Sequence, residues 1–412
     1  MTTDADVIIA GGGPAGALAA YHLAAGGVRV LVLEKEVFPR YKVCGAGLTH
    51  KILAQIPFDI STVLETTVRS VIFSSGFKDV FIRRSEEPLM HCTSRGLFDD
   101  FLLGKASAEG AKVQFGEQVR EVRQHGSTVV VVTRDRELRA HLVIGAEGAG
   151  SAVARSAGLY RHIGPGLAWE AEVVTDPFPA GLSGTIFLDW GAFPGGYAWV
   201  FPKGDHFSIG VGGPATLSRW MMDYYKRLTR FLEEGAGKES PGEGLRITRT
   251  LSLRSWPLPV RLKRGPFHGG SVLVTGDAAG LTDPLTGEGI YYAVRSGTLA
   301  AEACLAFLNG RSTALDDYSA SINRELMTEL IEARRIGDLF NTVPGKIHRF
   351  VRDNDRAWRA FGKILRGERD YADVRQGFGP WRFLWGPATA VAGAVSDSRE
   401  RKFRQAGFSD PQ

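Results

Sequence analysis

The stretch DVIIAGGGPAG, Asp6 to Gly16, decides the fold. Asp6–Ala10 is a short apolar run of the kind that forms a buried strand. Gly11, Gly13 and Gly16 follow in the spacing G-x-G-x-x-G. An alanine-rich segment from Ala15 to Ala25 reads as a helix, and Gly26-Gly27 stops it. Val28–Leu33 (VRVLVL) is the next strand, closing at Glu34. Strand, glycine turn, helix and strand make a βαβ opening. Glycine is needed there because the backbone must turn tightly and approach a pyrophosphate, which the helix N-terminus receives with its free N–H groups. Glu34 lies about 20 residues further on, where a carboxylate accepts hydrogen bonds from ribose hydroxyls and disfavours a 2′-phosphate.

Outward from this motif, 412 residues exceed one ordinary core and predict two or three domains. A hydrophobic content of 44% with 23% charged residues is that of a globular chain. The net charge of +5 suits an anionic cofactor, substrate or membrane surface and does not call for nucleic acid. Three scattered cysteines, Cys44, Cys92 and Cys304, form neither a disulfide framework nor a metal-ligand spacing. No metal is expected, and a reducing, cytoplasmic compartment is. The opening MTTDAD is acidic where a signal peptide would be basic. No apolar run reaches the ~18–20 residues of a spanning helix.

A second glycine-rich string, VLVTGDAAGLTDPLTGEGI (Val272–Ile290), combines a buried strand, Gly276-Asp277, small residues and a helix start near Gly287. It resembles the second FAD-binding motif of the p-hydroxybenzoate hydroxylase-type flavoproteins. The resemblance implies FAD as cofactor. It places Asp277 on the ribityl chain and Gly287, Gly289 and Ile290 at a helix N-terminus facing the flavin pyrimidine ring, where reduced flavin is anionic. VIGAEGAGSAVAR (Val143–Arg155) resembles the middle motif of that superfamily with Glu147 in place of the usual Asp. The replacement leaves the electron donor open between NADPH and a small redox protein. Arg95, in TSRGLFDDFLL, matches an Arg that sits against the flavin and its pyrophosphate. Ala15 and Val119 complete the cofactor positions implied.

Two further strings narrow the resemblance. CGAG, Cys44–Gly47, is a small-residue turn able to lie flat against a ring, and YAWVFPKGDHFSIGVG, Tyr197–Gly212, sets three aromatics on alternate positions before a bend and a G-x-G. Alternation at a period of two puts Tyr197, Trp199 and Phe201 on one strand face. From that alone, plain sheet core is the simpler reading. The two strings together are similar to the geranylgeranyl reductase family, which carries a Cys-Gly-Gly-type turn and Y-x-W-x-F-P followed by G-x-G. Ala46 departs from the commoner Gly. The resemblance spans roughly residues 5 to 310.

That family implies hydrogenation of C=C bonds in an isoprenoid chain, with hydride from reduced flavin N5 and a proton to the other carbon. On this basis Cys44, Gly45 and Gly47 lie by the flavin. Phe187, Tyr197, Trp199, Phe201 and Pro202, joined by Trp190, wall an apolar substrate cavity. Cys44, Tyr197 and Trp199 are the catalytic candidates. The proton donor is open between Tyr197, Cys44 and an ordered water, and Cys44 reads equally as a small packing residue. Lys203 or Arg40 is available to a polar head.

The fold expected is α/β with an α+β insert. A discontinuous Rossmann-like FAD-binding domain takes residues 1–68, 90–165 and 265–310. An antiparallel β-sheet substrate domain takes 69–89 and 166–264, and a helical region takes 311–412. Ser94–Gly110 is predicted helical with Leu97, Phe98, Phe101 and Leu102 on one face. Gly235–Gly244 is predicted to be an exposed loop. The basic, aromatic C-terminal region, including PWRFLWGPA, reads either as an interfacial helix touching membrane or as a helical lid with a solvated face. Oligomeric state is open, and a monomer is compatible with the sequence. Two rivals stand beside the reductase. Flavin monooxygenases and halogenases share the superfamily, but halogenases carry Gly-Glu-Ser where this chain has Cys44-Gly45-Ala46. Prenyl-binding escort proteins of the GDP-dissociation-inhibitor kind share the fold without a working FAD site.

Overall fold

The computed structural model describes residues 3–176, 179–235, 244–312, 315–376 and 385–405. Most of the loop predicted at Gly235–Gly244, and 380–384 of the aromatic tail, lie outside the described residues. The fold is mixed α/β with three sheets.

Ala5–Ala10, Val30–Glu34, Lys112–Phe115, Glu137–Gly145 and Val272–Val274 pair in parallel at the heart of an eight-stranded sheet. Its central strands are covered on both faces, which is why they are continuous apolar runs rather than alternating ones. The helix Pro14–Ala25 lies against the helix Ile290–Leu308. A Cβ on Gly297 would stand 2.2 Å from the Ala15 carbonyl oxygen, so the two helices meet backbone to backbone.

The second sheet has seven strands in the order Ile247–Arg261, Ile163–Thr175, Phe207–Pro214, Tyr197–Pro202, Thr185–Trp190, Ser70–Ser75, Lys78–Arg84. It is antiparallel except where Thr185–Trp190 runs parallel to Ser70–Ser75. One face packs on the helix Ser218–Glu233 through Met221, Tyr224 and Leu228. The other face carries Phe73, Trp190, Tyr197 and Phe201 and meets Trp358 and Phe361 of the helix Asp355–Leu365. Trp358 Nε1–H donates to the Arg84 carbonyl at 2.9 Å, fixing that helix on the sheet edge. The helical C-terminal region therefore leans on the aromatic face.

One helix differs in detail from its sequence reading. Arg95–Ala108 buries Phe98, Leu102 and Ala106, a ridge of fourth-neighbour positions, while Leu97 is 49% exposed. Leu97 is offset from that ridge by about 100° of helix rotation and turns to the surface. Among the described residues no helix is long and apolar enough to cross a membrane.

Candidate functional site

A cavity of about 510 Å³ opens at the C-terminal ends of the parallel strands, where Ala10, Glu34, Ala146 and Thr275 line it. Ligands of open α/β sheets bind at this edge. Gly11, Gly13, Ala15, Glu34, Cys44, Arg95, Val119, Asp277, Gly287, Gly289 and Ile290 all reach its wall. Gly16, Gly45 and Gly47 do not; they act one layer behind.

The first glycine turn is a cradle that side chains would fill. Gly11 has φ +97°, and a Cβ there would lie 2.4 Å from the Ala146 oxygen. A Cβ on Gly16 would lie 2.0 Å from the Gly11 oxygen, so Gly16 lets the helix start press on the turn. No side chain caps that helix at Gly13 and its first turn holds no acidic residue, which leaves its N-terminal dipole to a ligand. Glu34 is buried and accepts the N–H of Gly12 at 2.7 Å and of Glu36 at 2.9 Å.

Beside the turn stands a buried ion cluster. Asp99 has no exposed surface and accepts Arg95 Nε at 2.8 Å and Nη2 at 2.7 Å, while Arg40 Nη2 reaches it at 2.9 Å. Arg40 Nη1 is buried with no hydrogen-bond partner among the described residues. An orphaned guanidinium N–H beside a glycine turn fits an anionic group of a ligand. These features fit the pyrophosphate and ribose of FAD. Arg40 thus belongs to the cofactor end of the cavity, not to a substrate head as the sequence allowed. Asp99, which holds both arginines, lies in the TSRGLFDDFLL string, but nothing in the sequence assigned it a role.

Further along the cavity, Asp277 Oδ1 accepts the Thr282 hydroxyl at 3.3 Å, and a Cβ on Gly289 would lie 3.4 Å from the same oxygen. Gly287 has φ +70°. Its loop is held from three sides. Tyr371 Oη donates to Asp283 Oδ2 at 2.8 Å, Lys51 pairs with Glu288 at 2.6 Å, and Tyr197 Oη donates to the Thr286 carbonyl. Glu147 lines the rim and accepts Ser151 Oγ at 2.7 Å and the Val153 N–H at 3.0 Å, and burial raises its pKa. The Glu that replaces Asp is therefore occupied at the start of the short helix Ala152–Ser156. Lys42 Nζ sits 3.7 Å over the Trp256 ring; burial, then the charge of Arg95, pushes its pKa down to about 8.

The Cys-Gly turn lies flat on the aromatic row. A Cβ on Gly45 would stand 3.0 Å from Phe201 and 3.1 Å from Trp199 Nε1, and one on Gly47 would stand 3.1 Å from Phe201. Between them Ala46 has φ +46° and is buried. That left-handed conformation explains why Gly is the easier residue there. Lys203 is 2% exposed, and its ammonium donates to the carbonyls of Gly45 and of Thr93, the latter at 2.7 Å. Lys203 is thus the clamp of the turn and is not free for a substrate head.

Tyr197, Trp199 and Phe201 do share one face, with ring centres 5.7 and 6.5 Å apart. Trp199 lies across Gly210, where a Cβ would come within 2.1 Å of the indole. The G-x-G is thus the space that the indole occupies. Phe187 departs from its assignment. It pairs with Val200 in register and packs against Phe231 on the opposite face. Pro202 occupies the same alternate register as Ala198 and Val200, also away from the row. Two polar groups on the row's side, Tyr41 and Glu170, had no signal beyond a charged residue within an apolar strand.

The family described as "FAD binding domain" matches residues 4–183. The geranylgeranyl diphosphate reductase of Rhodobacter capsulatus is 30% identical over 84% of this chain and 87% of its own. The menaquinone reductase of Mycolicibacterium smegmatis is 32% identical over 78% of this chain and 80% of its own. Among solved structures, a geranylgeranyl bacteriochlorophyll reductase-like protein from Thermoplasma acidophilum aligns with a TM-score of 0.68 at 25% identity, covering 82% of this chain and 87% of that one. Cradle, ion cluster, Cys-Gly turn and these likenesses agree: the chain belongs to the geranylgeranyl reductase family of FAD-dependent oxidoreductases.

Proposed function

We propose that this enzyme hydrogenates C=C bonds along an isoprenoid chain. The observation that carries the reading is the contact of the Cys44–Gly47 turn, which reaches the cavity wall at Cys44, with Trp199 and Phe201. It joins the cofactor cavity to an apolar aromatic surface. Tyr197, Phe201, Leu188, Phe340, Phe361 and Leu365 are only partly buried between the sheet and the C-terminal helices. A hydrocarbon chain has no polar handle, so apolar area at about 25 cal/mol per Å² and flat rings must hold it. Residues 69–89 and 166–264 serve as the substrate domain in this reading, and the helices Pro344–Asp353 and Asp355–Leu365 close its outer side. Exposed Val343 and Phe350 beside Lys346 and Arg349 suit contact of that side with a lipid surface.

Bound FAD would supply the hydride, its two electrons coming from NADPH or, with a proton from solvent, from a small redox protein. The residues of this chain have three tasks: to hold the alkene against the turn, to exclude water, and to bring a proton to the second carbon. The test is anaerobic. Holoenzyme reduced with dithionite is mixed with geranylgeranyl diphosphate, and flavin reoxidation and product mass are followed. Reoxidation with mass gains of whole hydrogen pairs is the expected result. Reoxidation only in air, with an oxygenated product, would overturn it in favour of a monooxygenase. A colourless protein that FAD does not restore would point to a non-redox escort.

A further inference from the structure

Glu170 is an acidic residue in the middle of an apolar strand, 1% exposed, and among the described residues no cationic side chain is bonded to it. A buried carboxylate normally carries a paired cation or loses its charge. Here its partners are hydroxyls. Tyr41 Oη donates to Oε2, and Ser208 Oγ donates to Oε1 at 3.0 Å. Trp199 Nε1–H in turn donates to Ser208 Oγ at 3.2 Å. Tyr41 lines the cavity in the same segment as Lys42, Val43 and Cys44, whereas Glu170 does not reach it. The carboxyl is thus connected to the cavity through one phenol and to the aromatic row through one serine.

We propose that Glu170 stores the proton used in the reaction and that Tyr41 passes it into the cavity. This rests on the reading of the enzyme as an alkene reductase. When the carboxyl is protonated it can donate to Tyr41 Oη, and the phenolic hydrogen is then released toward the cavity. In the reductive step one alkene carbon takes the hydride supplied by reduced flavin. The other takes the Tyr41 proton as the π bond breaks. Tyr41 recovers a proton from Glu170, which is left ionised and is recharged from solvent. Electrons and protons balance: one alkene, one hydride and one proton give one saturated bond.

The surroundings favour a carboxyl poised near neutrality. Burial raises its pKa to about 7 against the bonds from Tyr41 and Ser208, Glu172 on the same strand pushes it up, and Lys203 pulls it down. Arg254 stacks on the Tyr41 ring at 5.2 Å, His206 stands 3.8 Å from Glu172, and Tyr225 feels Glu170 from the helix behind the sheet. The donor form is the protonated one, so delivery is complete below about pH 7 and fades as pH rises through it.

The experiment is single-turnover reoxidation of reduced holoenzyme by geranylgeranyl diphosphate on both sides of neutrality, for the wild type, Glu170→Gln and Tyr41→Phe. The flavin spectrum of each variant is the check that it is folded and loaded. Wild type should slow as pH rises through the carboxyl's range. Both variants should be slower by roughly 100-fold at low pH, and Glu170→Gln should lose the pH dependence. A Glu170→Gln enzyme with the wild-type rate and profile overturns the proposal. If wild-type flavin ignores the prenyl chain, the functional reading fails instead. The pair is then tested without turnover by infrared titration of the oxidised holoenzyme. A protonated-carboxyl band lost in Glu170→Gln and shifted in Tyr41→Phe supports the pair, and no such band overturns it.

Discussion

Lys203→Met should separate stability from function. The ammonium makes two bonds to carbonyls, those of Gly45 and Thr93. Hydrogen bonds from a charged donor contribute about 1.5–3 kcal/mol each, so about 3–6 kcal/mol of interaction is lost. Against this, a buried ammonium costs several kcal/mol to desolvate, and methionine fills nearly the same volume without that cost. The two effects are comparable, and the net loss of stability should be only about 1–2 kcal/mol, a fall in melting temperature of roughly 2–8 °C. The turn itself loses its anchor. A misplacement of about 1 Å beside a reacting centre slows a reaction on the order of 100-fold. Thiol alkylation reads the same loosening without any substrate, because Cys44 is half-buried whereas Cys92 and Cys304 are fully buried. Lys203→Met should label Cys44 faster than wild type in the folded holoenzyme. A variant that melts more than about 15 °C lower, or one with unchanged labelling and unchanged flavin reoxidation, would refute the clamp.

Three other outcomes follow from particular contacts. Gly16→Val places carbon within 2.0 Å of the Gly11 oxygen and should yield a protein that purifies without yellow colour, checked by the visible spectrum. Ala46→Gly relieves a left-handed alanine and should raise stability by up to about 1 kcal/mol in chemical denaturation, less the extra chain entropy of glycine. Asp189, which accepts Ser74, Tyr224 and the Phe77 N–H, has its pKa raised by burial to about 6. A raised carboxyl pKa stabilises the fold at low pH and loses that contribution as pH climbs from 3.8 through about 6, so Asp189→Asn should flatten this part of the stability profile.

The parts of the fold that were legible are local. The βαβ opening and the glycine strings are written in consecutive residues, and their apolar runs belong to strands covered on both faces. What stayed hidden depends on residues far apart in the chain. Phe187 could be assigned to a face only once its register with Val200 was known. Arg40 and Asp99 form one cluster across two separate segments, and Lys203 reaches Gly45 over 158 positions. Glu170 and Tyr41 are 129 positions apart, and neither belongs to a motif. The cofactor strings marked the cavity wall because phosphate-binding backbone constrains sequence directly. The groups that position that wall are held by burial, and burial leaves no spacing to read.

The parallel pairing of Thr185–Trp190 with Ser70–Ser75 has a consequence for how the chain is made. Thr185 meets Ser70 in register, so the strand Ser70–Ser75 leaves the ribosome 115 residues before its inner neighbour. At ~5–20 residues per second that is a wait of roughly 6–23 s with one strand edge open. The strand Val272–Val274 of the first sheet emerges later still. The second sheet gains its last strand with Ile247–Arg261 and the first with Val272–Val274. A nascent chain halted before those strands emerge would present unpaired strand edges to the cell's chaperones.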